Sequence, residues 1–393
     1  MSTVANTPTV PQQKIPILPL TSVRIFAALY VVILHCYLWT GHLYVSTWFG
    51  RFVRNGYTAV GFFFTLSGFI LAHVYLNTDR PLNRRAFWTS RFARAYPLLF
   101  ASLLFDAPRD FLIRMALHGP LNGLIRTCVA LLGESMLLQS WLTIFSQING
   151  PSWSLSAEAF FYLLFPFVTV WIWRCKRGTA AGLFFLFWVC AMTTPYLVTL
   201  HHPNLFVEVP TSVLQHNIEL MPIFRMFEFF AGIAICTFQQ SAIANLSSSQ
   251  SSRIGWMALI AAGILFFTAI QYANSIPLLV MSDGFLLPVY GLTILGLVNI
   301  RGWLQRLFSH HLFVLLGEAS YAVYLLHGPL FNYVASVHNM DSPGMWVAYI
   351  GLIIGLSLVS FVWLERPARK KILEWASIRP TVTLKQETVV PAV

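Results

Sequence analysis

RIFAALYVVILH, Arg24 to His35, sets ten residues, apolar apart from the phenol of Tyr30, between an arginine and a histidine. Along an α-helix, eleven residues turn through about 1100° and rise roughly 16 Å, which is three turns plus about 20°. Arg24 and His35 therefore share one face at two depths. Polar groups held at membrane depth face the protein interior, so this stripe is expected to point inward. The plainer alternative is an arginine that snorkels to the interface and an unrelated histidine satisfied in the core.

The surroundings make the membrane reading firm. Of 393 residues, 57% are hydrophobic, 15% aromatic and only 10% charged, and the mean hydropathy is +0.67. Soluble chains carry charge on roughly a quarter of their residues. The chain is therefore expected to be all-α, a polytopic membrane protein with about ten transmembrane helices. Apolar runs near the ~20 residues that cross a bilayer predict spans at 20–40, 57–76, 95–117, 153–173, 180–200, 220–238, 254–272, 278–298, 312–335 and 345–364. Residues 1–14 read as a disordered cytoplasmic tail with no cleavable signal peptide, 15–371 as one membrane domain, and 372–393 as a polar cytoplasmic tail.

A net charge of +11 would suggest nucleic acid in a soluble protein, but here the basic residues cluster between apolar runs. Arg80/Arg84/Arg85/Arg91/Arg94, Arg174/Lys176/Arg177, Arg301/Arg306 and Arg366/Arg369/Lys370/Lys371 fall on one side if both termini are cytoplasmic. That is the positive-inside pattern of an inner or plasma membrane protein, and it argues against nucleic acid as a partner. Residues 124–142 are apolar enough to cross, yet crossing would invert every later loop, so a re-entrant or interfacial helix is expected there. Cys36, Cys128, Cys175, Cys190 and Cys236 show no paired spacing and read as free thiols, with no metal site.

Charge at membrane depth costs ~2.5–3.5 kcal/mol on insertion scales, so ionisable groups inside spans are candidates for function. Glu158, with Tyr162 one turn deeper, and His327, with Tyr324 three residues before it, are expected with His35 in the outer half. Arg24, Arg91 and Arg94 gather at the cytoplasmic side. Arg225 and Glu228 have the spacing of a structural ion pair. Imidazole and carboxylate together suit general base catalysis, and arginines suit phosphate. The combination predicts a phosphate-bearing donor from the cytosol and a hydroxyl-activating base deeper in. For each there is a plainer reading: Glu158 paired at an interface, Arg91 and Arg94 as ordinary loop charge, His327 as a buried core imidazole. Walker, dinucleotide-binding, HExxH and GxSxG motifs do not occur.

These segments resemble a known family. RIFAALYVVILH fits the R-x10-H pattern of the acyltransferase-3 integral membrane acyltransferases. GYTAVGFFFTLSGFIL resembles its SGF-bearing second span, RFARAYP its RxxR loop, and PSWSLSAEAFFYLLFP its Trp-Ser-Leu-x-x-Glu segment. SYAVYLLHGPL and FVWLERPARK resemble its late Ser-Tyr-x-x-Tyr-Leu-x-His and terminal Glu-x-Pro segments. The likeness covers about residues 15–371. It implies acyl transfer, most often acetyl, from acyl-coenzyme A to a carbohydrate hydroxyl, with no metal. Arg24 and His35 match the essential pair, Arg91 and Arg94 the RxxR arginines, and Glu158 the acidic position.

On this reading His35, Glu158 and His327 are the catalytic candidates, and Arg24, Arg91 and Arg94 hold coenzyme A. Tyr162, Tyr324, Ser67 and Trp153 are candidates for the acceptor or the oxyanion. Expected partners are a carbohydrate or glycolipid acceptor, membrane lipid and glycan-assembly machinery. Many relatives carry an added hydrolase-like domain, and a stand-alone transferase is expected here. The alternatives are a macrolide or other secondary metabolite as acceptor, or a proton-coupled transporter.

Overall fold

A computed structural model describes residues 16–40, 47–76, 82–142, 145, 147–173, 175–201, 220–340 and 342–376. The expected tail 1–14, most of 372–393, and Arg80 and Arg174 lie outside the described residues. Within them all regular structure is helical. The longer helices are α1 (Leu18–Thr40), α3 (Thr58–Tyr75), α4 (Arg84–His118), α5 (Pro120–Ser135), α6 (Trp153–Trp173), α7 (Arg177–His201), α8 (Pro222–Phe238), α9 (Ser248–Gln271), α11 (Leu287–Asn299), α13 (His311–Val337) and α14 (Pro343–Ser360). Shorter ones are α2 (Trp48–Arg54), α10 (Leu278–Ser282), α12 (Trp303–Phe308) and α15 (Arg366–Trp375).

Among the described residues, seven helical stretches are long and apolar enough to cross a membrane. The expected spans at 95–117, 153–173 and 312–335 fall on α4, α6 and α13, which are outside that seven. For helix α4 the reason is charge, because Asp106, Arg109, Asp110 and Arg114 interrupt its apolar run. These charges pair along the helix: Arg109 with Asp106 at 2.6 Å, Arg114 with Asp110 at 2.5 Å. Two details differ from expectation. The RxxR arginines sit within α4 and not on a loop, since Phe87, Ser90 and Ala93 bury one helical stripe of the same basic segment. The run 278–298 is broken at Asp283–Gly284, where Gly284 takes φ +88° and Asp283 pairs with Arg225.

Arg225 also meets Glu228 at 3.3 Å, the expected ion pair, so one buried guanidinium faces two carboxylates. None of the five cysteines is in a disulfide.

Close helix contacts hold the bundle, as expected where lipid supplies no hydrophobic drive between helices. α1 packs on α13, and α3 on α8. Gly68 lies against the Phe229 carbonyl and Gly232 against the Thr65 carbonyl, so a methyl group at either would collide with backbone. Gly232→Ala is therefore expected to cost about 1–3 kcal/mol, read as a lower unfolding temperature in detergent. Gly263→Ala, with nothing near its added methyl, is the control. Equal behaviour of the two would refute this account of the α3–α8 contact.

Candidate active site

A cavity of about 860 Å³, its open mouth included, lies between α1, α3, α4, α6 and α13. Arg24, Arg91, Arg94, Glu158, Tyr162 and Tyr324 line it, with Ser67 and Ser154. Three guanidiniums against one carboxylate leave a surplus of positive charge in a low-dielectric setting, which suits a polyanion. Tyr162 donates to Glu158 Oε2 at 2.9 Å, which fixes the carboxylate on the wall. The Tyr321 hydroxyl donates to the Ala95 carbonyl at 2.8 Å and ties α13 to α4 beside the arginines. After α14 a wide π turn, Phe361–Glu365, buries Glu365 within electrostatic reach of Arg94 and Arg24; such turns are one way a helix re-aims a side chain.

The two histidines meet next to this cavity. His327 Nε2 lies 3.0 Å from His35 Nδ1, with the rings 4.9 Å apart. His327 Nδ1 lies 2.5 Å from the Tyr324 carbonyl. A carbonyl only accepts, so His327 Nδ1 carries the proton; in the neutral ring Nε2 then accepts from His35 Nδ1–H. The lone pair of His35 is thereby placed on Nε2, the tautomer a general base needs. Tyr349 donates to the His327 carbonyl at 2.5 Å and holds the same turn from α14. The Phe63 and Tyr324 rings, which line the cavity, pack 6.1 Å apart, and Tyr324 stands 5.9 Å from His327.

That turn of α13 has a local cause. Pro329 has no N–H, so the Leu325 carbonyl loses its helical partner. Asn149, from the segment before α6, donates its side-chain Nδ2 to Leu325 O at 2.9 Å and to Ser102 Oγ at 3.2 Å. Glu134, fully buried at the end of α5, organises the segment. It accepts from Ile148 N at 3.0 Å, Asn149 N at 3.3 Å and Ser152 Oγ at 2.5 Å.

Of the sequence-predicted residues, Arg24, Arg91, Arg94, Glu158, Tyr162, Tyr324 and Ser67 share the cavity, and His35 and His327 pair beside it. Trp153 stands behind the wall, its ring 6.0 Å from Phe64 and beneath Arg225. Glu158 corrects the depth expectation: it faces the arginines, and His327 is the residue bonded to His35. Helix α6 begins beside Gly328, within α13, against which Pro151 packs. Five residues further on, about 8 Å along the helix, Glu158 has left the histidine layer. Sequence reasoning passed over Glu134, Asn149 and Tyr349, and gave Glu365, the glutamate of the terminal Glu-x-Pro segment, no role. Pro329 was the available signal for Asn149, because a proline inside a buried helix frees a carbonyl that something must satisfy.

Segments scattered over more than 300 residues thus converge on one cavity and one histidine pair. Residues 20–364 match the family described as the acyltransferase domain, acyltransferase-3. The chain belongs to that family. The acyltransferase is 29% identical over 345 residues to acyltransferase MdmB of Streptomyces mycarofaciens, covering 82% of this chain and 81% of the relative. It is 20% identical over 338 residues to peptidoglycan O-acetyltransferase OatA of Listeria monocytogenes, covering 81% of this chain and 52% of the relative. The chain thus spans about half the length of the Listeria protein. No solved structure matches the acyltransferase. Among the described residues no cluster of His, Cys, Asp or Glu has the makings of a metal site.

Proposed function

We propose that this acyltransferase moves an acyl group, acetyl in the simplest case, from acyl-coenzyme A to a hydroxyl of an exported or cell-surface carbohydrate. The observation that carries the proposal is the arginine-lined cavity with the histidine pair beside it. Arg24, Arg91 and Arg94 receive the coenzyme A phosphates, and the pantetheine arm runs along the ~16 Å between the two layers of α1. His35 Nε2 takes the proton of the acceptor hydroxyl as its oxygen attacks the thioester carbonyl. The tetrahedral intermediate then collapses, the C–S bond breaks, and His35 returns the proton to the departing coenzyme A sulfur. His327 keeps His35 in the right tautomer throughout. Tyr324, whose ring stands 5.9 Å from that of His327, is the candidate donor to the oxyanion, a role that needs a donor within about 3.1 Å.

The same reading places ten helices across an inner or plasma membrane, with both termini cytoplasmic. The basic clusters and the cavity arginines then share the donor's side. A carbohydrate acceptor is supported by the name of the Listeria relative, peptidoglycan O-acetyltransferase.

The test is thiol release from acetyl-coenzyme A by detergent-purified protein, supplied with glycan acceptors and, separately, macrolides. Acceptor-dependent release is expected with the glycans; release with macrolides alone would redirect the acceptor. Arg91→Ala and Arg94→Ala should each raise KM for acetyl-coenzyme A about tenfold or more, the scale of a lost charge-assisted contact, while KM for the acceptor holds. Unchanged donor KM in both variants would remove the arginines from the donor site.

A further inference from the structure

We propose that Asn149 is a positioning residue for the histidine pair: its side-chain amide stands in for the backbone N–H that Pro329 removes from α13, and so fixes the turn from which His327 holds His35. The inference rests on the proposed role of His35 and adds a residue to it.

Two neighbouring carbonyls of one turn are involved. Tyr324 O receives His327 Nδ1–H, and Leu325 O, bereft of its helical partner, receives Asn149 Nδ2–H. An unmet carbonyl at this depth carries a penalty of about 1–3 kcal/mol, so without Asn149 the turn is driven to find another donor. The imidazole N–H of His327, already committed one residue away, is close to hand. Any such rearrangement unsettles His327 Nε2 and with it the tautomer of His35.

Asn149 is suited to the task because it is not free to follow the turn. Its backbone N–H is tied to Glu134, its second amide hydrogen reaches Ser102 on α4, and it is fully buried. Gln139 donates to the Ser152 carbonyl at 3.0 Å and closes the segment from its other side. Pro151 against Gly328 leaves the segment no slack beside the turn. A single buried residue thus references α13 to α4, which carries Arg91 and Arg94, and to α5, which carries Glu134.

The rescue is specific. Pro329→Ala restores an N–H four residues after Leu325, which makes the Asn149 amide redundant. The experiment compares wild type, Asn149→Ala, Pro329→Ala and the double variant as full chains in detergent, with acetyl-coenzyme A and a saturating acceptor. Asn149→Ala is expected to lower kcat about 10–100-fold, the scale of a roughly 1 Å misplacement, with KM for acetyl-coenzyme A changed by less than about twofold. In the Pro329→Ala background the same substitution should lower kcat by less than about threefold, a coupling of the size seen between touching residues. Asn149→Ser, which keeps a shorter donor, serves if Asn149→Ala does not fold, and the same rescue is expected. Equal losses in both backgrounds, or a KM rise matching the kcat loss, overturn the proposal. Failure of the underlying reading is separate: it appears as full activity in His35→Ala, whatever the coupling.

Discussion

His35→Ala is expected to lower acyl transfer at least about 10³-fold, within the range that loss of a positioned general base produces. The protein should still fold and still bind acetyl-coenzyme A, because the three cavity arginines lie at a different depth from the histidine layer. Thiol release at saturating donor and acceptor reads the first effect, and protection of the protein against thermal unfolding by acetyl-coenzyme A reads the second. The comparison matters more than the loss. An enzyme that binds its donor normally and fails to turn it over has lost chemistry; one that also fails to bind has lost structure. Wild-type turnover in His35→Ala would place the base elsewhere and leave the histidine pair as a packing feature of α1 and α13.

The second expected result separates two substitutions at one position. His327→Leu removes the acceptor for His35 Nδ1–H, and transfer should fall about 10²–10³-fold, somewhat less than the ~10⁴ seen where a partner that fixes a histidine tautomer is lost from a hydrolase triad. His327→Gln keeps a carbonyl oxygen that can accept from His35 Nδ1–H, and an amide that can donate to Tyr324 O. It should retain about a tenth of the activity or more. Steady-state rates with both variants at matched folded concentration provide the check. Equal losses would mean that His327 fills space and does not direct the proton on His35.

Much of this arrangement could be read in the sequence, for local reasons. The face shared by Arg24 and His35 follows from helical pitch alone, and the spacing of Glu158 and Tyr162 gives their hydrogen bond directly. The Arg225–Glu228 pair is of the same kind. What the sequence withheld depends on contacts between distant segments. Laying every span from surface to surface put Glu158 beside the histidines. Helix α6 instead starts beside Gly328 within α13, because Asn149 just before it bonds to α13 and α4 while Glu134 satisfies the backbone there. The meeting of His35 and His327 is likewise a product of α1 packing on α13, with Gly317 against the Thr21 carbonyl setting the approach. Charge density made the start of α4 look like a loop, although the buried stripe of Phe87, Ser90 and Ala93 was there to be counted.

Helix α4 brings two of the three cavity arginines, yet its charges put it outside the stretches that lipid alone would accept. A segment with Arg91, Arg94, Asp106, Arg109, Asp110 and Arg114 gains little from hydrocarbon contact and must be received by helices already in place. Asp110 shows how, since Thr127 of α5 donates to it at 2.9 Å while Arg114 pairs with it. During biogenesis, then, the apolar helices are expected to settle first, with α4 joining as α5 and α13 become available to it. The arginine-lined cavity is consequently expected to be a late product of assembly. A chain halted before its last helices is expected to be embedded in the membrane, resistant to extraction, and without the arginine-lined cavity.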